Sequence, residues 1–121
     1  YGNRQIDTEE ALRLIQRLDD LMKTESLYKN PNIKLPEIAK RLHVLPHKLS
    51  QLINENLDKN FALFLNEYRI AMAKNMILQN ENLKLESIGY ECGFNSKSTF
   101  YATFKKLTGT TPSRFKDDKS H

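Results

Sequence analysis

Apolar residues recur along most of this chain at the three- and four-residue spacing that is typical of α-helices. The first stripe predicts an amphipathic helix from about Thr8 to Ser26, with Asp7 and Glu10 in capping-box spacing at its start. The apolar members of this stripe are Ala11, Leu14, Ile15, Leu18, Leu21 and Met22. Because the sequence has no run that alternates apolar and polar residues as a half-buried strand does, the pattern predicts an all-α fold.

Two short helices are predicted after a polar connector at residues 27–34. The first spans about Leu35 to Leu42, residues 43–45 form a turn, and Pro46 opens the second. The inner face of that second helix consists of Leu49, Leu52 and Ile53. Two short helices joined by a three-residue turn predict a helix-turn-helix unit.

A longer helix from about Phe61 to Gln79 is predicted next, with Asn60 as its N-cap. Its apolar side is predicted to contain Phe61, Phe64, Leu65, Tyr68, Met72 and Met76. A second pair of short helices follows. The first is expected to end at Gly93 and the second at Gly109, because glycine readily adopts the left-handed conformation that ends helices.

The two helix pairs repeat each other at a separation of fifty residues. Ile38-Ala39 corresponds to Ile88-Gly89, and each pair supplies a small residue where two helices are expected to cross closely. The predicted architecture is therefore two helix-turn-helix subdomains joined by a long central helix, with an extra N-terminal amphipathic helix. The predicted segments are 1–32 (N-terminal helix and connector), 33–58 (first helix-turn-helix), 59–82 (linking helix) and 83–121 (second helix-turn-helix and a closing helix). The closing helix is predicted to have Thr111 as its N-cap and Pro112 as its first residue.

Several motifs at these positions are similar to those of one protein family. They are Ile38–Leu42, Pro46–Ser50, Glu67–Ile70, Ile88–Phe94, Phe100–Lys106 and Gly109–Pro112. Over roughly residues 33–116 the chain resembles the AraC-type (AraC/XylS) transcription regulators. The resemblance implies seven helices in two subdomains, with each recognition helix in a major groove of double-stranded DNA, and it allows RNA polymerase as a further partner.

The length of the central helix agrees with that implication. About 18 residues span roughly 27 Å, and successive major-groove faces lie about 34 Å apart. We therefore expect one molecule to reach two adjacent grooves on one side of the duplex.

Three positions depart from the family pattern. His43 stands where the first turn often carries glycine, at some conformational cost. Ala102 stands where members often place a base-reading arginine, so readout by the second recognition helix is expected to be weak. Gly89 replaces a commoner alanine and is expected to loosen its helix slightly.

Arg69 in the central helix is expected to pair with an acidic residue inside the body, such as Glu91.

The positive charge is concentrated away from the N-terminal helix. Residues 1–32 contain five basic and six acidic side chains, a net of −1, and residues 33–121 contain fourteen and nine, a net of +5. This asymmetry is compatible with a polyanionic partner.

The outward positions of the two recognition helices are the candidates for reading bases. They are His47, Lys48, Ser50, Gln51 and Asn54 in the first helix, and Lys97, Ser98 and Tyr101 in the second. Gln51 suits bidentate contacts to adenine, and His47 and Lys48 suit guanine acceptors. The candidates for phosphate contact are Lys59, Asn60, Lys105, Lys106 and Thr111. The alternative is that these residues form ordinary solvated helix faces and surface charge.

The sequence indicates neither catalysis nor metal binding. Cys92 is the single cysteine, so no intramolecular disulfide is possible, and we expect it to be a small core residue. His43, His47 and His121 lack metal-ligand spacing. No catalytic triad, carboxylate pair or glycine-rich phosphate loop occurs, so we expect no enzyme activity and no cofactor.

The cellular location is predicted from the lack of a targeting or membrane-spanning segment in this sequence. The absence of a signal peptide or a membrane-length apolar run predicts a cytoplasmic location and no membrane contact by this segment. Because the first residue is Tyr1, we expect a piece of a longer bacterial regulator whose other part could carry a sensor or membrane region.

Two alternatives remain open at this point. The N-terminal helix either packs on the domain itself, which we favour, or forms a homodimer with its copy, as the missing sensor region could also do. The alternative function is a helical protein–protein interaction module that does not bind DNA.

Overall fold

A computed structural model describes residues 6–79 and 82–119, and both ranges are mostly helical. The helices are α1 (Thr8–Glu25), α2 (Leu35–Leu42), α3 (Pro46–Gln51), α4 (Phe61–Gln79), α5 (Leu85–Glu91), α6 (Lys97–Thr108) and α7 (Pro112–Lys119). A 3₁₀ turn at Leu27–Lys29 follows α1, and a π-helical turn at Leu52–Asn56 extends α3. The two described ranges contain no strand, so the predicted all-α fold is confirmed.

The helices form two compact units. The first unit contains residues 6–27 and Asn32–Phe64, which include α1, α2, α3 and the first turn of α4. The second unit contains Tyr28–Pro31 and the described residues from Leu65 onward, which include the rest of α4 and α5 to α7. The four-residue segment Tyr28–Pro31 therefore belongs to the second unit, although the chain on both sides of it belongs to the first.

Helix α1 packs its apolar stripe into the first unit. The stripe residues Ala11, Leu14, Leu18 and Met22 are buried, and Ile15 and Leu21 are half-buried. Helix α1 contacts both α2 and the π-helical turn. The interpretation that this helix packs on the domain itself is therefore confirmed.

Polar contacts also hold α1 against the first helix-turn-helix. Near the middle of α1, the guanidinium of Arg17 donates to the carbonyl oxygen of Leu42 at 2.6 Å, which satisfies an acceptor at the end of α2. The two ends of α1 contribute the ion pairs Glu10–Lys48 and Glu25–Arg41. The position of α1 on α2 and α3 is thus fixed by apolar and charged groups together.

The core of the second unit is rich in aromatic residues. Its buried members are Ile70, Ala73, Ile77, Ile88, Cys92, Phe94, Phe100 and Phe104. The ring of Phe104 lies edge-on to those of Phe100 and Phe115, with centroid distances of 5.9 and 5.5 Å. Burial raises the pKa of the Cys92 thiol to about 12, so the reactive thiolate is not formed at neutral pH. The prediction that Cys92 is a core residue is confirmed.

Arg69 in α4 fixes the Tyr28–Pro31 segment to the second unit. Its Nε donates to the carbonyl oxygen of Tyr28 at 2.8 Å, and Nη2 donates to that of Asn30 at 3.1 Å. The guanidinium also lies 5.8 Å from the ring centroid of Phe94. The hydrogen bonds of Arg69 go to these two carbonyls and, through Nη1, to Asn66 Oδ1 at 3.3 Å, so the expected pairing with Glu91 is wrong.

The buried side of α4 differs from the predicted stripe. Phe64 and Leu65 are buried as predicted, whereas Phe61, Tyr68, Met72 and Met76 are half-buried. Ile70, Ala73 and Ile77 supply most of the second-unit core from this helix and were not predicted. The difference arises because α4 contributes to two cores, its first turn to one and its remainder to the other.

Candidate nucleic-acid interface

The turn that precedes each recognition helix has the same backbone hydrogen bonds in both units. The amide-to-carbonyl pairs are Val44 to Ala39 and His43 to Lys40 in the first unit (both 3.1 Å), and Phe94 to Gly89 (3.0 Å) and Gly93 to Tyr90 (3.1 Å) in the second. This is the Schellman arrangement, which satisfies the last carbonyls of a helix. Each bond in one unit lies fifty residues from its counterpart, so the backbone follows the repeat predicted from the sequence.

In both turns, a residue at the end of the first helix has a backbone conformation with positive φ. His43 has φ 60° and ψ 40°, and Gly93 has φ +106°. Glycine adopts positive φ without steric cost, but a residue with a β-carbon does so under strain. The first turn is therefore the more strained of the two, as expected for histidine at this position.

Replacing His43 with glycine is expected to raise the free energy of unfolding by up to about 1 kcal/mol. Relief of the left-handed strain, about 1–2 kcal/mol, outweighs the added freedom of the unfolded chain, about 0.4–1 kcal/mol. Urea unfolding followed by circular dichroism measures the change. His47→Gly is the matched control, because the backbone there is helical and glycine should destabilise it by up to about 1 kcal/mol. If both variants lose stability, the strain at His43 is negligible.

Gly89 has a packing role where α5 and α6 cross. A β-carbon added to Gly89 would lie 2.5 Å from Cδ2 and 2.7 Å from Cγ of Phe100, which is fully buried. The absence of a side chain at this position lets α5 and α6 cross with the Phe100 ring between them. The expected small residue at the crossing is confirmed, and the expected slight loosening of the helix stays a prediction.

The predicted base-reading residues of the first recognition helix lie opposite its buried face. Leu49, Leu52 and Ile53 are buried, whereas the candidates are exposed or half-buried: His47 and Asn54 are exposed, and Lys48, Ser50 and Gln51 are half-buried. The carboxylate of Glu55 accepts from Gln51 Nε2 at 3.1 Å, and Ser50 Oγ accepts from Asn54 Nδ2 at 3.2 Å. These contacts, each between residues four apart, hold four polar side chains along one outward strip of the helix.

A π-helical turn at the end of this helix was not predicted. The amide of Leu57 donates to the carbonyl oxygen of Leu52 at 3.1 Å, one residue farther along the chain than in an α-helix. The spacing of Leu49, Leu52 and Ile53 suits an α-helix equally well, so the apolar pattern contains no signal for this wider turn.

Lys48 differs from the other candidates in the first helix because an acidic side chain of α1 contacts its ammonium group. The partner is Glu10, and both side chains are about two-fifths exposed, at 40% for Lys48 and 43% for Glu10. The sequence placed Lys48 on the outward face but gave no indication of this ion pair.

The second recognition helix, α6, begins with a side-chain cap that sequence reasoning missed. Ser96 Oγ accepts from the Thr99 amide at 3.1 Å, and a serine just before a helix is a common signal for such a cap. The candidates Lys97 and Ser98 follow in the first turn and are exposed. A serine cap thus fixes the start of the helix that presents them.

Tyr101 lies between the second-unit core and the outward face of α6. Its ring is half-buried and packs edge-on against Phe100, with centroids 5.7 Å apart. The ammonium of Lys97 lies 5.4 Å from the Tyr101 ring centroid, which is a cation–π distance. Ala102 is exposed beside it, so this face offers one cation, hydroxyl groups and a methyl group.

Two candidates for phosphate contact act as helix N-caps. Asn60 Oδ1 accepts from the Leu63 amide at 2.8 Å at the start of α4, and Thr111 Oγ1 accepts from the Arg114 amide at 3.1 Å at the start of α7. Both predicted caps are therefore confirmed. The Asn60 amide and the Thr111 hydroxyl retain hydrogens that could be donated to a phosphate.

The lysine candidates for phosphate contact are on two different elements. Lys105 and Lys106 are exposed in the last turn of α6, where cations are stabilised by the helix dipole. Lys59 is half-buried just before α4. A surface lysine on a short loop or helix end can serve as a phosphate contact without further structure around it.

Other kinds of site find no support within residues 6–79 and 82–119. No group of three or more histidine, cysteine or acidic residues in these ranges is arranged to hold a metal ion. None of the described helices combines the length and the apolar character that a membrane crossing needs. His121, one of the three histidines considered above, lies outside the described residues.

Known proteins are similar to this chain in sequence. A family model described as a helix-turn-helix domain matches residues 38–118. The uncharacterized HTH-type transcriptional regulator YtdP of Bacillus subtilis (strain 168) is 30% identical over 87 residues, which make up 72% of this chain and 11% of that protein.

Two solved structures have the same fold. A transcriptional regulator from Chromobacterium violaceum, named among AraC-type DNA-binding domain-containing proteins, has a TM-score of 0.80 at 20% identity, over 92% of this chain and 96% of that one. The DNA-binding domain of AdpA, solved in complex with a target DNA, has a TM-score of 0.69 at 15% identity, over 87% and 90% of the two chains.

The curated relatives are much longer than this chain, which spans 11% and 29% of the length of two of them. The family model, by contrast, covers about two-thirds of this chain, from α2 to α7. The chain therefore belongs to the AraC-type (AraC/XylS) family of helix-turn-helix domains.

Proposed function

We propose that this chain is the sequence-specific DNA-binding part of a larger bacterial transcription regulator, and that it places α3 and α6 in adjacent major grooves. The observation that carries the proposal is the duplicated turn, in which the bonds Val44 to Ala39 and Phe94 to Gly89 precede two equivalent helices. Helix α4, with 19 residues, is about 28 Å long and has a suitable length to link helices in successive grooves.

Segment roles follow from this proposal. Residues 33–58 and 83–121 read DNA, residues 59–82 link them, and residues 1–32 support the domain and lead to the rest of the regulator. The net charge of +5 over residues 33–121 supports DNA as the partner. So does AdpA, a protein of the same fold whose DNA-binding domain was solved with a target DNA.

Base recognition is assigned mainly to the first recognition helix. His47, Ser50, Gln51 and Asn54 lie on the outward side of this helix and can meet base edges, and Gln51 can form two hydrogen bonds with adenine. Lys48 joins them when it leaves Glu10. The second helix contributes Lys97, Ser98 and Tyr101, with less discrimination because Ala102 offers only a methyl contact.

Phosphate contacts fix the register of such a complex without reading sequence. We assign them to Lys59 and Asn60 at the start of α4, to Lys105 and Lys106 at the end of α6, and to Thr111 at the start of α7. The contacts would release counterions, so the logarithm of the affinity should fall linearly with the logarithm of salt concentration.

Other partners of the whole regulator are proposed from the family and from the packing of α1. RNA polymerase is the partner through which a DNA-bound regulator of this kind acts, and the cytoplasm is where it meets bacterial DNA. Since the first unit already covers Leu14, Leu18 and Met22, we assign homodimerisation to the missing part of the regulator and not to this stripe.

The experiment that tests the proposed function is a mobility-shift selection against genomic fragments, followed by binding isotherms over a range of salt concentrations. A steep salt dependence and a preferred fragment are the expected results. A chain that binds no DNA would instead support the alternative of a protein-interaction module. Such a module would bind its protein partner through apolar contacts, which are nearly insensitive to salt.

Replacing Gln51 with alanine is expected to weaken binding to the preferred fragment by about 1–3 kcal/mol and leave binding to random duplex nearly unchanged. Anisotropy titrations on both duplexes measure the difference. Lys105→Ala is the control, because loss of a phosphate contact should weaken both complexes alike and lower the salt slope by about 0.9. Equal losses on the two duplexes with Gln51→Ala would remove this residue from the base-reading set.

A further inference from the structure

Helix α1 contributes an acidic side chain to the recognition surface. Glu10, in the first turn of α1, pairs with Lys48 of α3, one of the cations proposed to contact DNA. We propose that Glu10 determines specificity by keeping Lys48 away from DNA phosphates, so that non-specific binding is weakened more than specific binding. The inference rests on the proposed function and names a residue outside the helix-turn-helix that tunes it.

The packing of α1 holds Glu10 in place. Its neighbour Ala11 is buried with 3% exposure, and Leu14, one turn later, is buried with 4%. Arg17 then donates to the carbonyl oxygen of Leu42 at 2.6 Å. Because these contacts fix the first turns of α1 on the first unit, the Glu10 side chain is held within reach of Lys48.

A phosphate can use Lys48 only by competing with this carboxylate. The ammonium has to leave Glu10, and the phosphate then approaches an acidic side chain that is 43% exposed. Non-specific binding consists almost entirely of phosphate contacts, and because separating the pair carries a cost, it loses the contact from Lys48 while the pair stays intact. In a specific complex, Lys48 can donate to guanine acceptors, which offsets that cost. The pair therefore widens the gap between the two affinities.

The test compares Glu10→Gln with Glu9→Gln in the full chain. Both variants remove one negative charge from the first turn of α1. Glu9, however, is 83% exposed on its side chain and lies 3.7 Å from Arg13 of the same helix. Each variant loses the favourable interaction of one negative charge with the helix dipole, and equal melting curves would show that this loss has the same effect on stability in both.

Affinity for a random duplex at low salt is expected to rise about two- to fivefold in Glu10→Gln. The slope of log affinity against log salt should become steeper by about 0.9, because one more cation reaches a phosphate. Affinity for the preferred fragment should rise less, so the specificity ratio falls. Glu9→Gln is expected to leave the slope and the ratio unchanged.

A double-mutant cycle with Lys48→Gln checks that the effect passes through the pair. In the Lys48→Gln background, Glu10→Gln should no longer change the slope or the specificity ratio. Equal effects of Glu10→Gln and Glu9→Gln, or an unchanged effect in the Lys48→Gln background, would overturn the proposal. Failure of the proposed function is distinguishable, since the unchanged chain would then bind neither duplex, and the present proposal would be overturned with it.

Discussion

Replacing Gly93 with alanine is expected to lower the free energy of unfolding by about 2–5 kcal/mol, which combines left-handed strain with overpacking. Gly93 has φ +106°, and a β-carbon there would overlap the carbonyl oxygen of Tyr28 and lie 2.9 Å from Arg69 Nε. The added methyl group would therefore displace the segment that Arg69 binds. Urea unfolding followed by circular dichroism should show a large shift of the midpoint.

Gly109→Ala is the matched control for that experiment. Gly109 also has positive φ, at +82°, but a β-carbon there would have no heavy atom within 4 Å. Only the conformational strain remains, about 1–2 kcal/mol. If the two variants lose the same stability, the close approach of Tyr28 to Gly93 is unimportant for the second unit.

Deletion of residues 1–26 is expected to unfold the first unit even in a dilute monomeric sample. The deletion removes Leu14, Leu18 and Met22, and the burial of each contributes about 1.5–3 kcal/mol of stability as an upper estimate. The sum is comparable to the whole stability of a typical domain, about 5–15 kcal/mol. Circular dichroism melts at several protein concentrations measure the loss.

A pair of point variants separates packing from self-association in that experiment. Leu18 is 1% exposed and Leu12 is 63% exposed on the same helix. Leu18→Ala should cost about 2–5 kcal/mol at every protein concentration, and Leu12→Ala should have little effect. If the truncated chain melts like the full one and loses only a dimer, α1 is a dimer element and its packing on the first unit is energetically minor.

Most helices could be predicted because each has a local cause in the sequence. The spacing of apolar residues gave α1 almost to the residue, and the predicted caps Asn60 and Thr111 form the expected hydrogen bonds. Gly109 ends α6 with the predicted left-handed conformation. These features depend on neighbours within one or two helical turns, which the sequence displays directly.

The contacts of Arg69 and Lys48 could not be predicted in the same way. Arg69 binds carbonyl oxygens 39 and 41 positions earlier, and every residue has such an oxygen, so side-chain chemistry does not single out the acceptors. Lys48 could have paired with any of several carboxylates, and only the packing of α1 brings Glu10 to it.

The candidate interface is predicted at two different levels. Leu49 and Leu52 define the buried face of the first recognition helix. Because residues on the opposite side of a helix point away from that face, the sequence predicts that His47, Gln51 and Asn54 point outward. Which bases these side chains meet depends on how the helix enters the groove, and neither apolar spacing nor capping determines that angle. Assignment of individual base contacts therefore stays a prediction.

The place of Tyr28–Pro31 in the chain has a consequence for hybrid regulators. The two units arise from consecutive, similar segments, but the second is completed by four residues that precede the first along the chain. A gene fragment that starts at the linking helix would thus encode a second unit in which Arg69 lacks its two carbonyl acceptors. A chimaera that exchanges DNA specificity between relatives should transfer residues 28–31 together with everything from residue 65 onward, as two insertions and not one.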